Sequence, residues 1–180
     1  RPVDTALGPD GALYIADFYN RIIGHYEVAL NHPGRDRERG RLWRVIYRGA
    51  DGQPALRAPR LAPDLAGLVG ELDSPSLPRR MLAMNDLADR FGASPDLVSR
   101  LRAVLAGGSP RGGTFARVHA LWLLERLNAL SADAFAAAAT DATSLVRVHA
   151  LRILVERCER AKTWETTVDR APLRAMVARF

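Results

Sequence analysis

The sequence has one cysteine, Cys158, and one lysine, Lys162, and each scarcity removes a class of chemistry. A lone cysteine excludes an internal disulfide and any cysteine-based metal cluster, so Cys158 reads as a small apolar core residue rather than a reactive thiol. Long apolar runs are missing too. AFAAAA at Ala134–Ala139 is typical of the longest, far short of the roughly 20 residues a bilayer requires. The N-terminus lacks the charged and apolar zones of an export signal. It opens on Arg1 inside what reads as a strand, as a piece of a longer protein would. Catalytic signatures are absent as well: there is no G-x-S-x-G elbow, no Walker-type phosphate loop, no G-x-G-x-x-G after a strand and no H-E-x-x-H. The sequence carries no self-sufficient active site.

What is present is arginine. The net charge of +6 rests on 26 basic residues of which only Lys162 is not arginine, a bias that fits the base composition of the gene better than a binding surface. Residues 1–60 carry 10 basic and 7 acidic side chains and residues 61–180 carry 16 and 13, so neither part is a basic tail. Nucleic acid is therefore the last-ranked partner. With 48% hydrophobic residues, the 180-residue chain can bury a core in one or two domains.

Two periodicities divide the chain. Val3–Leu7 and Leu13–Asp17 flank Gly8-Pro9-Asp10-Gly11, residue types that set turn dihedrals and tolerate positive φ, which predicts a hairpin. Arg41–Arg48 alternates, with Leu42, Arg44, Ile46 and Arg48 opposite Trp43, Val45 and Tyr47, and predicts another strand. Ile22–Leu30 reads as extended, and Asn31–Gly40 as a polar loop whose RDRERGR run is a solvated stretch or an anion site. Residues 49–63 hold three prolines and two glycines without a period and read as a linker between a β segment at 1–48 and a helical part at 64–180.

Beyond the linker the period becomes helical. Leu65, Leu68, Val69 and Leu72 fall at i, i+3, i+4 and i+7, and Asp73-Ser74-Pro75 supplies stop and start signals. The part is also self-similar. Arg80-Met81-Leu82-Ala83, Arg117-Val118-His119-Ala120 and Arg147-Val148-His149-Ala150 are offset by 37 and 30 residues, and Leu87, Leu124 or Leu154 follows four residues after each alanine. "ARVHALWLLERL" and "VRVHALRILVER" agree almost word for word. Each tetrad lies on a predicted helix preceded by another, at Leu65–Leu72, Pro95–Leu105 and Ala132–Ala139, and Asp169–Phe180 reads as the first helix of a truncated further unit. The loop GGSPRGG between Gly107 and Gly113 accounts for the longer first offset. A single hairpin cannot cover its apolar stripe but a stack of them can, and the small alanine allows close helix approach. The pattern resembles HEAT repeats, in which an Asp near the turn recurs with an Arg in the second helix, as Asp73 with Arg80 and Asp141 with Arg147 would fit. The expected fold is mainly α: a HEAT-like helix-hairpin solenoid of about three repeats behind a small antiparallel β segment.

Candidate site residues are sparse. His119 and His149 hold equivalent repeat positions and are expected to hydrogen-bond the neighbouring repeat rather than a metal, since no acidic or cysteine ligand stands at helical spacing beside them. Trp122 and Leu123 read as core. Ser131 and Ser144 precede helices and read as N-caps rather than nucleophiles. In the β part, Asp4, Asp17, Asn20, His25 and Asp36 sit at strand edges or in loops, where function concentrates. Of these, Asp17 with Asn20 has the oxygen character a hard cation prefers, but the spacing is a weak signal and turn capping explains it better.

"RPVDTALGPDGALYIADFYNRIIGHYE" followed by "RGRLWRVIYRG" resembles the closing segment of the β-propeller in large sorbosone or glucose dehydrogenase-like proteins, abundant in planctomycetes and verrucomicrobia. In that family the propeller precedes HEAT-like repeats and a c-type cytochrome module with a C-x-x-C-H haem attachment, an order similar to this chain over essentially its whole length. The resemblance implies that the β segment is a terminal propeller blade, and that the parent protein is extracytoplasmic or periplasmic and oxidises sugars or alcohols with pyrroloquinoline quinone, calcium and haem c. It implies that Asp17, Asn20, His25 and Asp36 are the residues that would border a substrate, quinone or metal site there. Departures are visible: Phe18 stands where the family has Trp, RDRERGR lacks that loop's histidines, and no C-x-x-C-H occurs, so no haem is expected in this stretch. The resulting expectation is a non-catalytic scaffold without a cofactor of its own, holding a protein partner or other domains of the same chain. A share in a dehydrogenase site and a nucleic-acid-binding module are the alternatives.

Overall fold

The computed structural model describes residues 2–18, 22, 27–52, 60–107 and 113–161. The chain divides into two compact units, Arg1–Arg60 and Leu61–Phe180. Of the predicted extended stretch at 22–30, residues 23–26 lie outside the described residues and 27–30 form bends and a turn rather than a strand, with His32 N–H donating to Ala29 O at 3.0 Å; the predicted helix at 169–180 lies wholly outside the described residues.

In the first unit, three strands, β1 (Pro2–Leu7), β2 (Leu13–Asp17) and β3 (Arg41–Val45), form an antiparallel sheet in the order β1-β2-β3. The β1–β2 turn closes through Gly8 N–H to Ala12 O at 2.8 Å, with Gly11 at φ 76°, where a side chain would be strained. Asp10 ties the turn to the far strand: its carboxylate accepts from Tyr14 Oη at 3.1 Å and from Arg44 Nε and Nη2 at 2.9 and 2.7 Å. That contact with the Arg44 guanidinium holds the Asp10 carboxyl below its ordinary range. The strand predicted over Arg41–Arg48 stops at Val45. Its partner there is Leu13, the first residue of β2, so residues beyond Val45 would face the turn rather than a ladder. The register puts Leu7, Leu13 and Val45, and Thr5, Ile15 and Trp43, in rows on one face. Leu7, Leu13, Trp43 and Val45 are exposed.

Six helices are described in the second unit: α1 (Leu65–Glu71), α2 (Leu77–Phe91), α3 (Pro95–Leu105), α4 (Thr114–Arg126), α5 (Ala132–Ala139) and α6 (Ser144–Ala161). About half of the described residues are helical. Local chemistry sets the ends. Asp64 caps α1 by accepting from Gly67 N at 2.9 Å, Ser131 caps α5 through Ala134 N at 3.3 Å, and Pro78 and Pro95 sit in first turns, where no amide donor is needed. Ser144 is the first residue of α6 rather than the cap before it.

α1 packs on α2, α3 on α4 and α5 on α6, and α4 also lies against α2 and α6. Enclosed on several sides, α4 buries Ala116, Val118, Ala120, Leu121, Leu123 and Leu124, which explains why its sequence lacks a clear polar face. Leu68, Leu72, Leu87, Leu97, Leu101 and Ile153 complete the core, and Cys158 is buried beside it as expected. Ala83, Ala120 and Ala150, the last residues of the three tetrads, are all fully buried.

The carboxylates of both turn acids reach α4 on a neighbouring hairpin: Asp73 Oδ1 accepts from Ala116 N at 3.3 Å, capping α4 from the α1–α2 turn, and Asp141 forms an ion pair with Arg117. Arg80 and Arg147 each donate to a carbonyl six residues back, Ser74 O and Asp141 O. Hairpins are thus joined through their turns as well as through their cores.

Candidate binding groove

One helical face from each of α2, α4 and α6 lines a groove of about 660 Å³. α2 contributes Leu77, Arg80, Met81 and Met84, at i, i+3, i+4 and i+7. From α4 come Phe115, Val118, His119, Trp122 and Arg126, and from α6 Leu145, His149, Arg152 and Glu156, again one face each. Most of this lining is apolar.

Its polar groups are linked from helix to helix. Arg80 on α2 donates from Nε to His119 Nε2 at 3.0 Å and lies with its guanidinium carbon 4.2 Å from the centre of the Phe115 ring. Trp122 on α4 donates from Nε1 to His149 Nδ1 on α6 at 2.9 Å, with the two rings edge to face. Each histidine therefore bonds the preceding hairpin, as its repeated position implied. Burial, then Arg80, then His149 push the His119 pKa down to about 4, and burial followed by Arg152 lowers that of His149. Both rings are neutral near pH 7, and the nitrogens named above act as acceptors. With Nδ1 of His149 accepting, its proton sits on Nε2. Trp122 and Leu123 were expected in the core: Leu123 is fully buried, and Trp122 is half-buried, packed against the core cluster while also lining the groove.

The β-unit candidates are engaged locally. Asp17 accepts from the Trp43 indole N–H at 2.9 Å, Asp4 from Thr5 N at 2.8 Å, and Asp36 from Glu38 N and Arg39 N at 3.2 and 3.1 Å. Asn20 and His25 lie outside the described residues. Among the described residues no three His, Cys, Asp or Glu side chains are grouped to hold a metal ion, and no helix is long and apolar enough to cross a membrane. In the RDRERGR run, Arg35 donates to the carbonyls of Ala29 and Val28 at 3.0 and 2.6 Å, so its guanidinium braces the loop.

Residues 1–49 match a family described as a domain of unknown function, DUF7133. No curated protein and no solved structure matches the chain. The DUF7133 match covers all three strands, whereas the groove lies wholly in the helical unit beyond it. Of the groove residues the aligned tetrads contain Arg80, Met81, Val118, His119 and His149, but nothing in the alignment marked a groove or marked Arg80 as buried.

Proposed function

We propose that the chain is a non-catalytic scaffold, in which a short HEAT-like solenoid presents the α2–α4–α6 groove to a protein partner or to another domain of the same polypeptide. The β segment is then a terminal propeller blade of a larger dehydrogenase-like protein. The observation that carries the reading is the groove: three parallel faces of Leu, Met, Phe, Val and Trp, with His119 Nε2 and His149 Nδ1 already used as acceptors and no nucleophile among them. Such a surface binds by apolar contact. Buried alanines at matching positions and hairpins joined through their turns support a repetitive stack. The exposed row Leu7, Leu13 and Val45 supports a sheet that other strands or blades cover.

Two measurements test this. A sugar- and alcohol-oxidation assay on the chain with added quinone and calcium should show nothing above buffer, and clear turnover ends the non-catalytic reading. A photo-crosslinking amino acid at Met81, in the groove, should label one polypeptide or one region of the parent protein. The same group at the exposed Ala136 should not. Identical labelling from both positions removes the groove from the proposal.

A further inference from the structure

Arg80 is only 7% exposed, yet no carboxylate pairs with it among the described residues. Its contacts are a neutral imidazole, the Ser74 carbonyl and the face of Phe115. These engage Nε and Nη1 but leave its charge uncompensated, which is costly in a low-dielectric wall. The nearby turn acid, Asp73, has its carboxylate on the α4 amide of Ala116. Across the groove Arg152 is exposed and, although Glu156 stands one turn on, no ion pair joins them. Arg126 at the rim is already held by Asp89 and Asn85. The lining thus combines three arginines, one glutamate and two neutral histidines with an apolar floor, a surface whose potential is positive where water is scarce.

Building on the scaffold reading, we infer that the groove's occupant is a polypeptide segment that seats apolar side chains against Met81, Met84 and Trp122 and turns an aspartate or glutamate carboxylate toward Arg152 and Arg80. His149 Nε2–H adds a neutral donor to the same wall. The geometry favours a chain over a small molecule. Three packed helices at roughly 8–10 Å spacing span about 20 Å, the reach of about six extended residues. Methionines supply an adaptable lining for alternating side chains. Phosphate-rich nucleic acid would need several exposed cations and gains nothing from the apolar floor.

The test is selection of a displayed library of random 12-residue peptides on the full 180-residue chain. Met81→Glu and Arg152→Glu are run in parallel, both exposed positions whose helicity is checked by circular dichroism. Enriched peptides should carry Asp or Glu within a few residues of Leu, Phe, Met or Trp and should be lost on Met81→Glu. A synthetic copy should bind Arg152→Glu on the order of tenfold more weakly, the effect of one lost charge contact. Enrichment of basic or uncharged peptides that bind Arg152→Glu equally well overturns the acidic occupant and leaves the scaffold reading standing. Absence of enrichment, or enrichment indifferent to Met81→Glu, overturns both. Free phenylpropionate competing as strongly as the peptide at equal concentration overturns the polypeptide in favour of a small carboxylate.

Discussion

Burial and the neighbouring Arg80 hold the His119 ring near pKa 4 in the fold, against an ordinary value of 6.5, so between those values the unfolded chain binds a proton that the folded chain refuses. Folding stability therefore rises with pH from about 4 to about 6.5 and falls on acidification through the same window. The loss is up to about 2 kcal/mol once screening by solvent at the groove edge is allowed for. Urea midpoints at about pH 4.5 and about pH 7 measure it, and His119→Gln, whose amide oxygen can still accept from Arg80, should flatten that limb. A midpoint equally pH-dependent in the variant would place the titrating group elsewhere. Glu125 adds a separate loss at lower pH: burial alone would raise its carboxyl, but Arg157 and Arg160 hold it below the usual range. None of this was visible in the sequence beyond the repetition of the two histidines. Which nitrogen accepts, and from whom, depends on side chains 39 and 27 residues earlier.

Elements were legible where the signal is local. Leu65, Leu68, Val69 and Leu72 marked α1, and Pro95–Leu105 and Ala132–Ala139 match α3 and α5 residue for residue, because proline, a capping serine and apolar spacing all act within one turn. The contacts of the turn acids were not legible, because their carboxylates reach another hairpin, where sequence distance says nothing. Asp73 makes the point testable: its carboxylate caps α4, and a methyl added at Gly113 would stand 2.3 Å from both carboxylate oxygens. Asp73→Ala should cost about 1 kcal/mol as a lost cap. Gly113→Ala should cost at least as much by expelling the same carboxylate, and the double variant should fall short of the sum because both remove one contact. Additive midpoints in chemical denaturation would show that the cap is not shared. A second element-scale prediction concerns the tetrad alanines. Ala120 is fully buried where α4 meets its neighbours, so Ala120→Leu should destabilise by about 1–3 kcal/mol through overpacking, while leucine at the exposed Ala136 should change stability by less than about 0.5 kcal/mol.

At the scale of the molecule, the change of period between residues 48 and 64 reported two kinds of structure, and the compact units divide at Arg60 and Leu61. Less legible was how unequal they are. Three matching four-residue tetrads and a hairpin look equally convincing as strings, but only burial shows which part can stand alone. In the described residues of the first unit Ala12 is the one buried hydrophobic residue, whereas the helical unit encloses a continuous cluster from Leu68 to Ile153. Three strands with an open apolar face are marginal in water without a covering layer, while six packed helices with that many fully buried leucines are not. Residues 61–180 expressed alone should therefore keep the helical ellipticity of that unit, and its unfolding free energy in urea should match that in the whole chain within about 0.5 kcal/mol. Their removal should leave residues 1–60 without a cooperative transition. A helical unit that melts several degrees lower once the sheet is removed would mean that the β segment contributes directly to its stability, and the chain would then have to be treated as one cooperative body.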